Sequence, residues 1–598
     1  MQHRKSETSV GLLFSMLLAS ACGGGGDHAP DTAAGNDAAL DAAPDTGTDS
    51  GAPDTGFRLE GCDTTAPGLI CAGAAKVALT PGSFETVKPE FLEDHAECAD
   101  SAGPTCGSLD YDKMKTAFTE DDWSKGFFVD TNGNGKFDGY WLAGFGASRP
   151  MQAVHDDIWA RAAVFRHSSV TVAVVAVDLI GFFYSDVVKI RERLAAHPEI
   201  GIDGLVVAST HSHAAVDPIG MWSMEDPFSE FYAEDENFYL GSINNGFVDE
   251  VIGKVAAAVI EAARSMKPAT LVAASARVGI DNLVTDIRDP FIIDDTLSVL
   301  HATSDTGEPI ATLVNWGGHA EAIDDLNNSL SSDYPHYLRE ALENGLPAAG
   351  EHPAHEGLGE VAIFLQGASG GMISPLDAQI NDRAGNPMPG WGYEQARAAG
   401  ENLAEKTYAL LESAVQLDDT TVSWASKAFR PPIENKYFGL LFGSGIIRTR
   451  PLYQIEPPPG VETTVGAETE VGLIRIGPVT FQTIPGELFP ELAVGGYQDP
   501  FPYSHGRPII APENEFPPDL SKAPQGPYLR ELMPGQFRFL VTLGQDELGY
   551  MVPAYDFVLS ETDPYLEEAP GEHYEETRGI GRAVVDMIGD VYVELSVK

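Results

Sequence analysis

The chain has 598 residues and a formal net charge of −52, with 37 Lys and Arg against 89 Asp and Glu. So acidic a protein is repelled by phosphate backbones and anionic membrane surfaces, which argues against nucleic-acid binding. Its apolar share of 43% is ordinary for a globular protein and predicts a sizeable buried core.

The N-terminal segment has the pattern of a leader followed by a linker. Residues 1–21 carry basic residues, a short apolar run and small residues before Cys22, as in a secretory signal with a lipoprotein cleavage site. That run is too short to be a permanent membrane span. We expect lipid attachment at Cys22 and export to a bacterial membrane, facing the periplasm or the cell surface. Residues 22–56, rich in Gly, Ala, Asp, Pro and Thr, are predicted to form a disordered stalk.

The segment 62–141 carries two further signals. Four closely spaced cysteines predict two disulfides in an oxidising compartment, with three connectivities open: Cys62, Cys71, Cys98 and Cys106. Oxygen-bearing residues then follow the spacing of the first part of a calcium loop: Asp130, Asn132, Asn134 and Asp138. The twelfth position is Trp141 where an EF-hand has Glu, so we predict a structural calcium site and not a complete EF-hand.

Hydrophobic patterning predicts strands alternating with helices from about Ala72 onward, which is typical of an α/β domain. Strands are predicted at 170–177, 205–208, 269–276, 297–303, 310–316, 361–365, 471–476, 479–484 and 537–543, and helices at 185–196, 248–266 and 392–413. A hairpin at 297–316 makes the sheet mixed. We predict mixed β-sheet layers flanked by helices in one large catalytic domain, 57–598, with a small disulfide-containing N-terminal region. No internal repeat is apparent. The apolar stretch 437–447 either lines an acyl-chain pocket or contacts a membrane, or else it is an ordinary buried strand.

Several polar residues follow buried strands, where ligands bind in α/β sheets. His211 and His213 come after the strand 205–208, and alternate residues at a strand end point the same way. His319 follows the strand 310–316, and Glu487 and Tyr550 follow later apolar runs. Imidazole is a preferred ligand of zinc, so the pattern predicts a zinc site.

The order of these motifs resembles that of the neutral, non-lysosomal ceramidases. The matching segments are 72–81, 144–146, His155 with 160–162, 177–179, 210–213, 315–319, 331–334, 367–375, 485–487 and 549–550. The resemblance implies four zinc ligands, His211, His319, Glu487 and Tyr550, with His213 as the adjacent catalytic histidine. It also implies catalytic roles for Arg288 and Tyr574, a backbone group near the substrate at Gly144, and a serine considered a nucleophile at Ser374. For Ser374 we favour a supporting or substrate-binding role.

The chemistry implied is amide hydrolysis by zinc-activated water, with His213 passing a proton to the departing amine and Tyr574 and Arg288 stabilising the oxyanion. Ceramide, split into sphingosine and a fatty acid, is the leading substrate. Residues after His213 and His319 depart from the family pattern, so another N-acyl amide remains open. The alternatives are a non-catalytic exported scaffold lipoprotein, or a metal amidohydrolase, such as the amidohydrolase barrels, acting on a non-lipid amide.

Overall fold

The computed structural model describes residues 68–93, 109–110, 113, 126–135, 137–145, 149–222, 246–445 and 447–597. The chain divides into two units, Met1–Gly56 and Phe57–Lys598, and every described residue belongs to the second. The leader, the stalk and the cysteines 22, 62, 98 and 106 lie outside the described residues. Cys71 is disulfide-bonded. None of the described helices is both long enough and apolar enough to cross a membrane.

The described strands are numbered in chain order. They are β1 (Ile70–Ala78), β2 (Ala153–Val154), β3 (Trp159–His167), β4 (Val170–Val177), β5 (Gly204–Ser209), β6 (Lys267–Arg277), β7 (Thr296–Ser304), β8 (Pro309–Trp316), β9 (Ser329–Leu330), β10 (Gly345–Leu346), β11 (His355–Glu356), β12 (Val361–Gln366), β13 (Val415–Gln416), β14 (Val422–Phe429), β15 (Leu452–Gln454), β16 (Val465–Ala467), β17 (Thr469–Ile476), β18 (Val479–Thr483), β19 (Glu487–Leu488), β20 (Phe537–Val541) and β21 (Tyr550–Met551).

The described helices are numbered in the same way. They are α1 (Tyr184–Ala195), α2 (Phe247–Arg264), α3 (Tyr334–Asn344), α4 (Tyr393–Leu411), α5 (Lys436–Ser444), α6 (Pro490–Val494), α7 (Leu529–Leu532), α8 (Tyr574–Thr577) and α9 (Ala583–Ser596). Short 3-10 turns occur at Pro89–Phe91 and Leu520–Lys522.

The largest sheet has the order β12-β8-β7-β6-β1-β3-β4-β5, with the short β13 beside β6. Its outermost pairs, β4–β5 and β8–β12, are parallel, and the pairs between them are antiparallel. Each half has the same chain order: three antiparallel strands, a helix and a fourth, parallel strand. The first half is β1, β3, β4, α1 and β5, and the second is β6, β7, β8, α3 and β12. The order of strands and helix is therefore the same in both halves, although the sequence shows no apparent internal repeat.

Helices cover one face of each half-sheet, α1 and α2 on the first half and α3 and α4 on the second. The other faces share a core with the four-stranded sheet β14-β17-β18-β20, whose outer side packs against α9. Strand β4 illustrates the arrangement, since Val175 and Val177 face the helices while Val174 and Ala176 face the shared core. Burial on both faces explains its continuous apolar run.

The predicted fold class is confirmed, and the strongest predicted elements lie within a few residues of those observed. The strand 170–177 is β4, and the predicted hairpin is β7–β8. The strand alternative for 437–447 is wrong. That stretch begins as α5, because the Asn435 side chain caps the helix by accepting the backbone N–H groups of Tyr437 and Phe438. The barrel alternative is also wrong, since the described strands form open mixed sheets and not eight parallel βα units.

Candidate metal centre and cavity

Two loops, which follow strands in the two halves of the large sheet, bring three histidines together. The chain leaves β5 and turns at His211, which has a positive φ of 64°. The next residues run beside the loop after β8, where the His213 N–H donates to the Ala320 carbonyl at 2.9 Å. As a result the ring of His211 lies 4.8 Å, centroid to centroid, from the rings of both His213 and His319.

The four-stranded sheet delivers the carboxylate and the phenol. Glu487 and Tyr550 begin β19 and β21, which pair in parallel with these two residues in register. Glu487 Oε2 lies 3.2 Å from His211 Nε2 and 3.1 Å from His319 Nε2. Tyr550 Oη lies 3.5 Å from His319 Nε2. All four predicted zinc ligands therefore converge, although they come from positions up to 339 residues apart in the sequence.

The hydrogen bonds of the two histidines suit them to a metal ion. His211 Nδ1 lies 2.7 Å from the Ile180 carbonyl and His319 Nδ1 lies 3.0 Å from the Ile373 carbonyl. A carbonyl oxygen only accepts, so both Nδ1 atoms carry hydrogen and donate, and both Nε2 atoms face Glu487. This is the orientation that metal-ligating histidines adopt, and two imidazoles, a carboxylate and a phenol make a donor set that fits zinc.

The electrostatics of these buried groups point the same way. Burial opposes charge on His319, but the carboxylates of Glu321 and Glu487 outweigh it and raise the pKa to about 9. Burial likewise opposes ionisation of Glu487, but His211 and His319 reverse the effect and hold its pKa below the usual range. The ionised carboxylate of Glu487 is thus stabilised by positive charge beside it. A bound cation supplies that charge without protonation of either imidazole.

His213 differs from the other two histidines. It is buried, and neither ring nitrogen has a hydrogen-bond partner among the described residues. Glu321 Oε2 lies 3.1 Å from Nδ1 but without hydrogen-bond alignment. Burial, reinforced by His211, His319 and Arg149, lowers its pKa well below the ordinary value, so the ring is neutral near pH 7. His213 could also join His211 and His319 as a ligand, since their nitrogens lie within 4.8 Å of one another.

A cavity adjoins the cluster and encloses about 660 Å³, its open mouth included. His211, His213, Glu487 and Tyr550 all line it. Much of the remaining lining is apolar and comes from a single hydrophobic cluster: Ile180, Phe183, Ile219, Met221, Trp222, Phe438 and Phe442. Ligand pockets commonly have this composition, with a few polar groups set in an apolar wall.

Gly144 and Tyr574, to which the resemblance gives roles at the site, also line the cavity, and these roles stay predictions. Gly144 has a φ of 109°, and a β-carbon there would lie 2.4 Å from Cγ of the His213 ring. Arg149 secures the contact by donating to the carbonyls of Ala143 and His213. Only glycine therefore allows the backbone to approach His213 this closely.

Two predicted catalytic residues are not among the residues that line the cavity. The Arg288 guanidinium is buried and pairs with Asp556, Glu575 and Glu576. Because Glu575 and Glu576 belong to α8, Arg288 holds the helix that begins with Tyr574. Ser374 Oγ accepts the backbone N–H of Leu376 at 2.9 Å, so it shapes the loop whose Ile373 carbonyl orients His319.

Two charged residues that the sequence did not indicate also line the cavity, Glu547 and Arg578. Glu547 Oε1 accepts the Gly549 N–H at 2.6 Å, whereas Oε2 is buried and has no hydrogen-bond partner among the described residues. Its carboxylate lies within 4.8 Å of ligand atoms of His211 and Glu487. Burial, with the charge of Glu487, raises the pKa of Glu547 well above its usual value. Among 89 acidic residues nothing in the sequence distinguishes this one.

None of the four predicted calcium ligands is among the described residues that line the cavity. Asp130 accepts the N–H groups of Gly133 and Gly135, and Asp138 Oδ2 accepts from the side-chain amides of Asn132 and Asn134. Trp141 is fully buried in an aromatic cluster and cannot replace the missing glutamate. Calcium binding by this loop stays a prediction.

The sequence matches no protein-family model and no curated protein. Among solved structures it is similar to a neutral ceramidase from Pseudomonas aeruginosa at 14% identity, with a TM-score of 0.53 over 89% of this chain and 75% of that one. A ceramidase complexed with C2 gives a TM-score of 0.51 at the same identity and coverage. At such identity the likeness establishes the fold alone, and it confirms at that level the resemblance carried by the motifs. The chain has the fold of the neutral ceramidases.

Proposed function

We propose that the protein is a zinc-dependent amidase that hydrolyses an N-acyl lipid, for which ceramide is the model substrate. The observation that carries this proposal is the convergence of His211, His319 and Glu487 within 3.2 Å contacts beside a largely apolar cavity, which His211 and Glu487 line. The ceramidase neighbours share the fold and act as supporting evidence for the substrate class.

The metal would be held by His211, His319 and Glu487, with Tyr550 beside them. When bound, zinc polarises a carbonyl oxygen and lowers the pKa of its water to about 7, which provides a nucleophile at neutral pH. Hydrolysis then forms a C–O bond to the acyl carbon and breaks the C–N bond, and the leaving nitrogen needs a proton.

His213 is the group that supplies this proton. It lines the cavity next to the metal ligands, it is neutral near pH 7, and its nitrogens are not committed to other described residues. A neutral imidazole can accept the proton of the attacking water and pass it to the amine nitrogen. The phenol of Tyr574 also lines the cavity and donates to the carbonyl oxygen as negative charge develops there.

The apolar lining holds the acyl chain. Phe438 and Phe442 project from α5 and stack with ring centroids 5.6 Å apart, and both line the cavity. Burying a hydrocarbon chain against such a surface contributes about 25 cal/mol per Å² of apolar area removed from water. The stretch 437–447 thus acts mainly as acyl-pocket wall.

Export and lipid attachment at Cys22 remain part of the proposal, because an anchored enzyme would meet lipid substrates at the membrane. Labelling with a radioactive fatty acid tests this directly. The wild-type chain is expected to take up label and the Cys22→Ser variant is not. Equal labelling of both proteins would refute lipid attachment at Cys22.

The experiment for the proposed function uses the purified mature protein with zinc, after chelation and after zinc is restored. N-lauroylsphingosine and shorter N-lauroyl amides serve as substrates, and release of laurate is measured. We expect turnover that is lost on chelation, regained with zinc, and lowered about a thousandfold in His213→Ala. A zinc-loaded protein that hydrolyses no amide would refute the proposal and favour a binding or scaffold function.

A further inference from the structure

The positive charge of Arg578 in the cavity lining indicates which group the departing amine part of the substrate carries. Arg578 lines the cavity, is exposed, and follows directly after α8. Its guanidinium carbon lies 5.3 Å from the ring centroid of Tyr574. Within the described ranges no carboxylate forms an ion pair with it.

Arginines near this region differ from Arg578 in this respect. Arg288 is bound to three carboxylates, Arg448 pairs with Asp186, and Arg450 pairs with Asp546. In a chain with 89 acidic and 37 basic residues, a guanidinium in the cavity lining that has no acidic partner among the described residues is a distinct feature. Its planar array of donors matches a carboxylate, with which it forms two parallel hydrogen bonds.

The cavity lining has an apolar part and a polar part. The aromatic and aliphatic residues beside the metal ligands belong mainly to one hydrophobic cluster, which also contains Phe438 and Phe442. We place the acyl chain of the substrate against this apolar cluster. The polar remainder of the described lining includes Tyr574 and Arg578, so it is placed to receive a short polar group on the nitrogen side of the amide.

We propose that the cavity selects single-chain N-acyl amides whose amine part carries a carboxylate, that is, N-acyl amino acids, and that Arg578 binds this carboxylate. This rests on the proposed amidase function and specifies its substrate class. Water adds across the amide: the acyl carbon gains oxygen, the C–N bond breaks and the nitrogen gains a proton. The products are a fatty acid and a free amino acid, and no further reactant is needed.

The test compares two substrates that differ in the end of the amine part, a carboxylate in N-lauroylglycine and a neutral hydroxymethyl group in N-lauroylethanolamine. Both are assayed with the zinc-loaded full chain. We expect kcat/KM to be about tenfold or more higher for the glycine compound. Arg578→Gln should raise KM for N-lauroylglycine about tenfold with little change in kcat, and Arg578→Lys should recover part of the loss. For both variants, kcat/KM for N-lauroylethanolamine, which has no carboxylate, should fall by less than kcat/KM for N-lauroylglycine. Arg582→Gln, an exposed arginine outside the cavity lining, is the matched control and should behave as wild type.

A binding measurement separates this inference from the proposed function. The probe is the non-cleavable ketone in which a methylene replaces the amide NH of N-lauroylglycine, and calorimetry gives its Kd. Arg578→Gln should weaken binding about tenfold, while the neutral alcohol analogue should bind both proteins equally. Equal Kd values for the ketone acid in wild type and Arg578→Gln would overturn the inference even if amides are hydrolysed. Retained discrimination without any amide turnover would overturn the amidase proposal instead.

Discussion

Replacing Gly144 by alanine perturbs the contact between the cavity wall and His213. The new β-carbon would lie 2.4 Å from Cγ, 2.5 Å from Cβ and 2.7 Å from Cα of His213. Carbon atoms in contact are normally about 3.5–4.0 Å apart, so the two segments must separate by about 1 Å. A displacement of this size at a catalytic group costs about a hundredfold in rate. The alanine also adopts a positive φ, which costs about 1–3 kcal/mol of stability.

Gly390 provides a matched control for this substitution. It has the same φ of 109°, and a β-carbon there would meet nothing within 4 Å. Gly390→Ala should therefore share the backbone strain without moving His213. We expect both variants to lose stability in urea unfolding, Gly144→Ala the more because of its clash with His213, and both to keep their zinc. Only Gly144→Ala should lose about a hundredfold in kcat on N-lauroyl amides. Equal kcat values in the two variants would refute the assignment of His213 to the reaction.

Three further predictions concern the metal, the pocket and stability. Glu547→Gln should weaken zinc binding about tenfold in chelator competition, since the buried carboxylate lies beside His211 and Glu487. An unchanged zinc affinity would show that Glu547 does not support the metal ligands. Phe438→Ala should shift the preferred acyl chain from lauroyl toward stearoyl in competition assays, because it removes a ring from the lining. Burial, reinforced by Asp556, raises the pKa of Glu491 to about 8 from an ordinary 4.5, so its contribution to stability is lost as pH rises through about 8. Between about pH 5 and pH 9 the free energy of unfolding of the wild type should therefore fall by on the order of 4 kcal/mol more than that of Glu491→Gln. Identical pH profiles of the two proteins in urea unfolding would contradict this.

Residues with strong local patterns were the predictable part of the fold. The apolar run of β4 and the spacing of the β7–β8 hairpin indicate strands because burial selects β-branched and apolar residues there. β1 and β3 were not predicted as strands. Their sequences, Ile70–Ala78 and Trp159–His167, are rich in alanine, which has no strong strand preference, and they are stabilised by pairing with each other.

In the candidate site, too, residues in local motifs could be predicted, whereas residues defined by distant partners could not. His211, His319, Glu487 and Tyr550 could be predicted because each stands in a recognisable motif after a strand. Arg288 could not be placed, since its partners Asp556 and Glu575 lie more than 260 residues away and nothing in the local sequence indicates the pairing. Arg578 likewise gains its significance only from the cavity that the fold builds around it.

The most direct test of the account is the zinc content of purified protein, measured by mass spectrometry after dialysis. His301 serves as the control, because its ring bonds to Thr312 between β7 and β8 and is not one of the cavity-lining residues. We predict about one zinc per chain in wild type and in His301→Ala, and almost none in His211→Ala or His319→Ala. Full zinc occupancy in either of the last two variants, with the fold intact, would contradict the metal centre on which the proposed function depends.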